Sequence, residues 1–360
     1  MPIQSNKNSY KGQNIFVGID AHARQWHVFA SPYPGIGAKA VCMPPSASGL
    51  LSYLNRNFPG GKYLSAYESG FCGFKPHRDL LAKGIENIVF NAADLRKSQK
   101  EQLRKTDAVD CKAIWENLAK GDLHAIYVPT QTDEQNRELI RGRETVVKDI
   151  RRCKQRIKMF LHKSGIESPE ELKGKEAYWG SKYVEWLTTL SDSLDGGSGM
   201  KLSSLLEQLS LLNGQIRKYN KEIHSVMTKR HAEIYELLPS VPGIGKLLAA
   251  KLCLELVDFS RFADARHLAG YIGLVPDCKI SDKSVGILGT TIRRNSLLRT
   301  ALIEASWIAV SKDPTLGAFF SKCRKEGKHP NVAIIAVARK LVNRIFYVWR
   351  TKSKYELSKD

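Results

Sequence analysis

The chain has 360 residues, 42% of them hydrophobic, and its 56 Lys and Arg against 36 Asp and Glu give a formal net charge of +20 and a pI near 9.6. That length predicts two or three domains with real cores, and an excess of cations spread along the whole chain points to polyanions, nucleic acid first. No apolar run approaches the roughly 20 residues needed to cross a bilayer, the polar stretch 1–13 lacks the apolar core of a signal peptide, and seven scattered cysteines without a Cys-x-x-Cys spacing exclude a disulfide framework and a zinc site. A cytoplasmic protein with reduced, mostly buried thiols and no membrane contact is expected.

In chain order, residues 14–20 read as a buried strand ending in Asp20, and 25–30 as its antiparallel neighbour after a short turn. A strand near 39–43, a helix over 46–57, a strand over 62–68 ending in Glu68, a helix around 75–83 and a strand over 86–90 follow. A helical pattern from about 92 to 119 then carries Asp107 and Asp110. Strands alternating with helices predict an α/β sheet.

Asp107 and Asp110 are three residues apart, which puts both on one helix face with Cβ atoms roughly 5–6 Å apart. Alone, such a pair reads first as a solvated helix face. With Asp20 and Glu68 at strand ends it becomes a set of four hard oxygen donors from separate elements, the kind of set that two Mg²⁺ ions in a phosphoryl-transfer site require. His22, His27 and His77 lack metal-ligand spacing and are assigned no chemistry.

The Gly18-Ile-Asp-Ala-His22 start, the Ala66-Tyr-Glu-Ser-Gly70 segment and the Lys105-Thr-Asp-Ala-Val-Asp-Cys-Lys112 helix resemble the RuvC-like (RNase H-type) DEDD domain of a family of insertion-sequence transposases, the bridge-RNA-guided recombinases, with the Piv-type DNA invertases as relatives. The resemblance implies metal-binding roles for Asp20, Glu68, Asp107 and Asp110.

From about 133 to 164 apolar residues recur near heptad spacing (Leu139, Val146, Ile150, Cys153, Ile157, Phe160) with Arg and Lys between them, and from Leu202 to Val226 they alternate by three and four. Both runs predict long helices with a coiled-coil seam. Between them lies the polar segment 166–200, whose Gly-rich break at 195–199 is expected to be a flexible reversal that lets the helices run antiparallel, closing the seam either within one chain or between subunits.

Pro242-Gly-Ile-Gly-Lys246 between apolar helices resembles a helix-hairpin-helix, with Lys246 adding charge beside a phosphate. An ordinary tight turn is the alternative. Beyond it, Gly273-Leu-Val-Pro276, then Ser281, then Arg293-Arg-Asn-Ser-Leu-Leu-Arg299 resemble the same family's transposase domain, in which a nucleophilic serine lies between a Gly-Leu-x-Pro segment and a Gly-Asn-x-x-Leu-Arg helix. Asp282 and Arg294 stand where glycines are usual, which leaves Ser284 as a second candidate beside Ser281. Without the resemblance, a serine in a polar loop is a loop residue. Lys105, Lys246, Arg293, Arg294 and Arg299 are the expected phosphate contacts.

The expected organisation is a RuvC-like α/β domain at 12–128, a coiled-coil region at 129–232 and a mostly α-helical transposase domain at 233–352. The resemblance implies a DNA transposase that forms a phosphoserine at Ser281, assisted by Mg²⁺, guided by a structured bridge RNA, and assembled from dimers into a tetramer that associates with the nucleoid when acting. A hydrolytic RuvC-like nuclease would need the acids but not Ser281; a nucleic-acid scaffold would need neither.

Overall fold

A computed structural model describes residues 9–34, 39–95, 106–173, 178–281, 284–290 and 294–357, with only the backbone given at 276–281 and 284–290. The chain divides into two compact units, Met1–Val128 and Pro129–Asp360.

The first unit is built on a five-stranded sheet in the order β3-β2-β1-β4-β5, formed by β1 (Asn14–Ala21), β2 (Trp26–Ser31), β3 (Val41–Met43), β4 (Lys62–Glu68) and β5 (Glu86–Phe90). β1 pairs antiparallel with β2 and β2 with β3, whereas β1–β4 and β4–β5 are parallel. Alternation along the strands sorts the side chains onto two faces. Ile15, Val17, Ile19, Val28, Tyr67 and Val89 join Leu50 and Leu54 of α1 (Ala47–Asn57) and Leu80 of α2 (Lys75–Ala82) in one core. On the other face Phe29, Ala66 and Phe90 meet Cys111, Ile114 and Trp115 of α3 (Asp107–Lys120).

Gly18 lets α3 lie directly on the sheet: a Cβ there would stand 2.1 Å from the Cys111 carbonyl oxygen and 2.4 Å from the Trp115 nitrogen. Trp115 Nε1 also donates to the Ser31 carbonyl at 3.0 Å. The helix expected over 92–119 is interrupted. A short 3₁₀ turn, Ala92–Asp94, ends at an extended Leu95, and α3 starts afresh after an extended Thr106 whose side chain accepts from the Val109 amide. Asp107 and Asp110 therefore occupy the first turn of a helix rather than its middle. Residues 96–105 lie outside the described residues.

In the second unit, α4 (Gln131–Lys163) and α6 (Gly196–Arg230) form a long antiparallel pair: Arg143 Nε donates to Asn220 Oδ1 at 2.7 Å, and Cys153 Sγ to the Leu205 carbonyl at 3.3 Å. Val146, Cys153, Ile157 and Phe160 are buried with Leu202, Leu209 and Leu212, together with Tyr183 and Leu187 of α5 (Ser181–Ser193). The reversal expected at 195–199 is shorter than predicted, because Gly196 to Gly199 are the first turn of α6. Gly199 is required there: a Cβ would come within 2.4 Å of the Leu194 carbonyl oxygen.

A second core gathers α7 (Ala232–Leu237), α8 (Lys246–Leu256), α9 (Ala265–Ile272), α10 (Ser296–Lys312), α11 (Pro314–Lys325) and α12 (Pro330–Thr351). Between α9 and α10, β6 (Pro276–Ser281) and β7 (Ser284–Thr290) pair antiparallel with Ser281 opposite Ser284. The polar loop expected around Ser281 is thus the end of a two-stranded hairpin. Of the six described cysteines, four are buried and all are free. Among the described residues no helix is long and apolar enough to cross a membrane.

Candidate metal centre

Asp20 stands next to the end of β1, on the face that α3 covers, because it is two residues on from Gly18. Register places β4 beside it: Gly18 pairs with Ala66 and Ile19 with Tyr67, so Glu68 ends β4 at the level of Asp20 and on the same face as Ala66. The first turn of α3 adds Asp107 and Asp110, acids at the positive end of a helix dipole.

The described ligand atoms that converge are those of Asp20, His22 and Asp107, all within 4.8 Å of one another. His22 Nε2 is 3.3 Å from Asp20 Oδ2 and 3.9 Å from Asp107 Oδ1, and His27 Nε2 is 3.1 Å from Asp107 Oδ2. Glu68 and Asp110 stand outside that trio. Asp110 is nonetheless close enough to act on Asp20. Burial lifts the Asp20 carboxyl above its ordinary range; His22 draws it back, and Asp107 and Asp110 both push it up.

The two histidines are the residues that sequence reasoning missed. His27 is the cross-strand partner of Asp20, and His22 sits two residues beyond it in the turn. His27 follows Asp20 by seven positions in the chain, and only antiparallel pairing makes them neighbours. A hairpin already expected at this point was the available signal.

Two cysteines flank the acids without entering the donor set. Burial, with Asp20 adding to it, pushes the Cys111 thiol up to about 12, and the same causes raise Cys72, whose Sγ donates to the Ala21 carbonyl at 3.3 Å. Thiols held protonated are poor metal ligands. The donors that remain are carboxylate oxygens and imidazole nitrogens, a set that fits a divalent cation better than a thiolate-seeking one.

The expected phosphate contacts stand in different surroundings. Lys105 and Arg293 lie outside the described residues. Lys246 pairs with Glu236 and lies 4.5 Å above the Tyr235 ring. Gly243, with φ +86°, packs where a Cβ would stand 2.3 Å from the Ala305 carbonyl oxygen, so the tight-turn reading accounts for that glycine. Arg294 is exposed beside Gly273, whereas Arg299 donates to the Gly273 carbonyl and so closes the C-terminal end of α9. Ser281 belongs to the other unit from the acids.

The sequence matches two family models: one described as a transposase of the DEDD, IS110 type over residues 17–165, and one described as "Transposase IS116/IS110/IS902 family" over residues 235–321. Two proteins of Sinorhizobium fredii (strain NBRC 101917 / NGR234) described as transposases, y4qE and y4rJ, are each 26% identical to the chain. The y4qE match covers 67% of this chain and 57% of y4qE; the y4rJ match covers 91% and 90%. The chain thus spans little more than half the length of the first of these relatives. The pilin gene-inverting protein of Moraxella bovis is 31% identical over 33% of this chain and 38% of its own length.

Proposed function

The chain belongs to the IS110/IS116/IS902 family of transposases, and from that premise we propose that it cuts and rejoins DNA through a covalent phosphoserine at Ser281, with Asp20, Glu68, Asp107 and Asp110 holding two Mg²⁺ ions. The observation that supports this reading most is the convergence of Asp20 and Asp107 from a strand end and a helix start, with Asp110 acting on Asp20 and Glu68 level with it on the adjacent strand. Bound divalent metal would neutralise charge on the phosphate and lower the proton affinity of a coordinated hydroxyl.

The residues of the chain divide the remaining work. The Ser281 oxygen bonds to phosphorus while the bond from phosphorus to one sugar oxygen breaks, and that oxygen leaves with the proton that the serine gives up. In rejoining, a sugar hydroxyl of a second strand attacks and Ser281 recovers its proton. One phosphodiester replaces another, so no ATP is consumed. His22 hydrogen-bonds Asp20, and His27 lies 3.1 Å from Asp107, contacts that restrict where the carboxylates point. The first unit is read as RuvC-like, residues 129–232 as a coiled-coil assembly region and 233–352 as the transposase domain. Protomers assembling as dimers into a tetramer bring acids and serine together on DNA, and a structured guide RNA pairs with donor and target.

Cleavage of a DNA substrate by single-residue variants tests this reading. Ser281→Ala should abolish cleavage while folding and DNA binding persist, and Asp20→Asn or Asp107→Asn should abolish it with loss of the metal response. Undiminished cleavage by Ser281→Ala would mean that water is the nucleophile and that the acids act as a hydrolytic nuclease. If Ser284→Ala alone is inactive, the serine is Ser284.

A further inference from the structure

At the base of the β6–β7 hairpin, arginines outnumber the carboxylate that faces them. Glu255 of α8 is 1% exposed, and both its oxygens are engaged: Arg141 of α4 donates from Nε to Oε1 at 2.9 Å and from Nη2 to Oε2 at 3.2 Å, and Asn295 donates from Nδ2 to Oε2 at 3.0 Å. One helical turn before Arg141, on the same face of α4, lies Arg137. It is 7% exposed, and its Nε has no hydrogen-bond partner among the described residues. Arg261, after α8, lies 4.7 Å over the ring of Tyr271 in α9. Burial lowers the proton affinity of Arg137, with Arg141 and Arg261 adding to the effect while Tyr271 and Glu255 oppose it.

An arginine does not solve this problem by giving up its proton. A guanidinium nitrogen taken out of water without a partner is strongly unfavourable, and among the described residues the other acid beside the cluster, Glu138, faces Arg141 at 3.9 Å. Among the described residues the arrangement lacks one anion, at Arg137 Nε. Its place in the fold says which kind. The Asn295 amide donates to the Tyr271 carbonyl at 3.2 Å, which ties the residue that ends the hairpin segment to the helix that precedes it. The cluster therefore lies where the segment carrying Ser281 leaves the helical core and returns to it.

We propose that Arg137, Arg141 and Arg261 form a phosphodiester-binding subsite at the root of the hairpin, holding a nucleic-acid strand at a phosphate other than the one that reacts. The inference deepens the reading above and rests on it for the identity of the polyanion. Five residue steps from Pro276 to Ser281 span at most about 17 Å. At 3.4 Å per base along a strand, the subsite holds a phosphate within about five base steps of one reached from the hairpin's end. Arg137 then fixes register without reading sequence.

The test uses the full chain and inorganic phosphate first. Phosphate should raise the melting temperature of the wild-type protein above its value in chloride of matched ionic strength, and Arg137→Met should lose most of that increment while melting no lower than wild type in chloride, since the change removes a buried unpaired charge. For binding, Arg137→Met should weaken affinity about tenfold and reduce the slope of log affinity against log salt by about one. Duplex DNA and an RNA of the same sequence, assayed side by side, show which strand occupies the subsite. A wild-type protein that melts identically in phosphate and chloride overturns the proposal without any variant. So does an Arg137→Met protein with wild-type phosphate response and salt slopes on both nucleic acids. Loss of the serine adduct with the phosphate response intact would instead overturn the catalytic reading and leave the subsite standing.

Discussion

The acidic centre of the first unit, half-buried, and the arginine cluster of the second, built on the buried Arg137, both crowd like charges, yet they answer that strain differently. Asp20 can take up a proton, and its carboxyl is already lifted toward doing so. Arg137 has no such exit. A crowded carboxylate site can therefore relieve its repulsion with a proton or a cation, whereas a crowded guanidinium site keeps its charge and favours an anion continuously.

The largest expected effects remove what holds each site in place. Gly18→Ala pushes a methyl group into the Cys111 carbonyl and the Trp115 amide, backbone atoms of α3 that carry Asp107 and Asp110 with them. Denaturant unfolding should show a loss of about 3 kcal/mol, and retained stability would mean that α3 is not seated on β1 as described. Glu255→Gln strips the arginine cluster of its buried carboxylate and should cost about 3 kcal/mol as well. Arg137→Met, in the same cluster, should be neutral or stabilising in chloride. Equal destabilisation by both would erase the asymmetry between carboxylate and guanidinium.

Much of the first unit was legible because strand alternation and helix spacing are local signals: β4 and β5 fall where the pattern of apolar residues predicts. Asp20 and Glu68 were legible for the same reason, as acids at strand ends. The start of α3 was misplaced because apolar spacing continues upstream of Thr106, although Thr106 followed by Asp107 is itself a helix-start signal. His22 and His27 were missed because strand pairing, not spacing, brings them to the acids. The hairpin at 276–290 hid behind the polar reading of Ser281 and its neighbours. The arginine cluster was out of reach altogether: Arg137 and Glu255 are more than a hundred residues apart, and one long helix carries the first to the second.

A smaller effect separates the two sites by pH. The folded-state affinity of Asp20 for a proton exceeds that of the unfolded chain, whose reference value is 3.8. In metal-free buffer the folded state thus binds more protons from about that pH upward, and stability falls as pH rises through the folded value. Solvent screening at a partly exposed carboxyl keeps the change below about 1 kcal/mol. Asp20→Asn should flatten this pH dependence and abolish the stabilisation by Mg²⁺ or Mn²⁺ in thermal melts. Arg137→Met should alter neither.

The central claim is that a serine of the second unit, served by acids of the first, becomes joined to DNA. Trapping the cleaved product, digesting the protein and sequencing the DNA-linked peptide by mass spectrometry tests it most directly. A phosphodiester on the peptide that spans residues 276–290, assigned to Ser281 and absent from the Asp20→Asn protein, is the predicted result. Cleaved DNA bearing free phosphate ends and no peptide would contradict it.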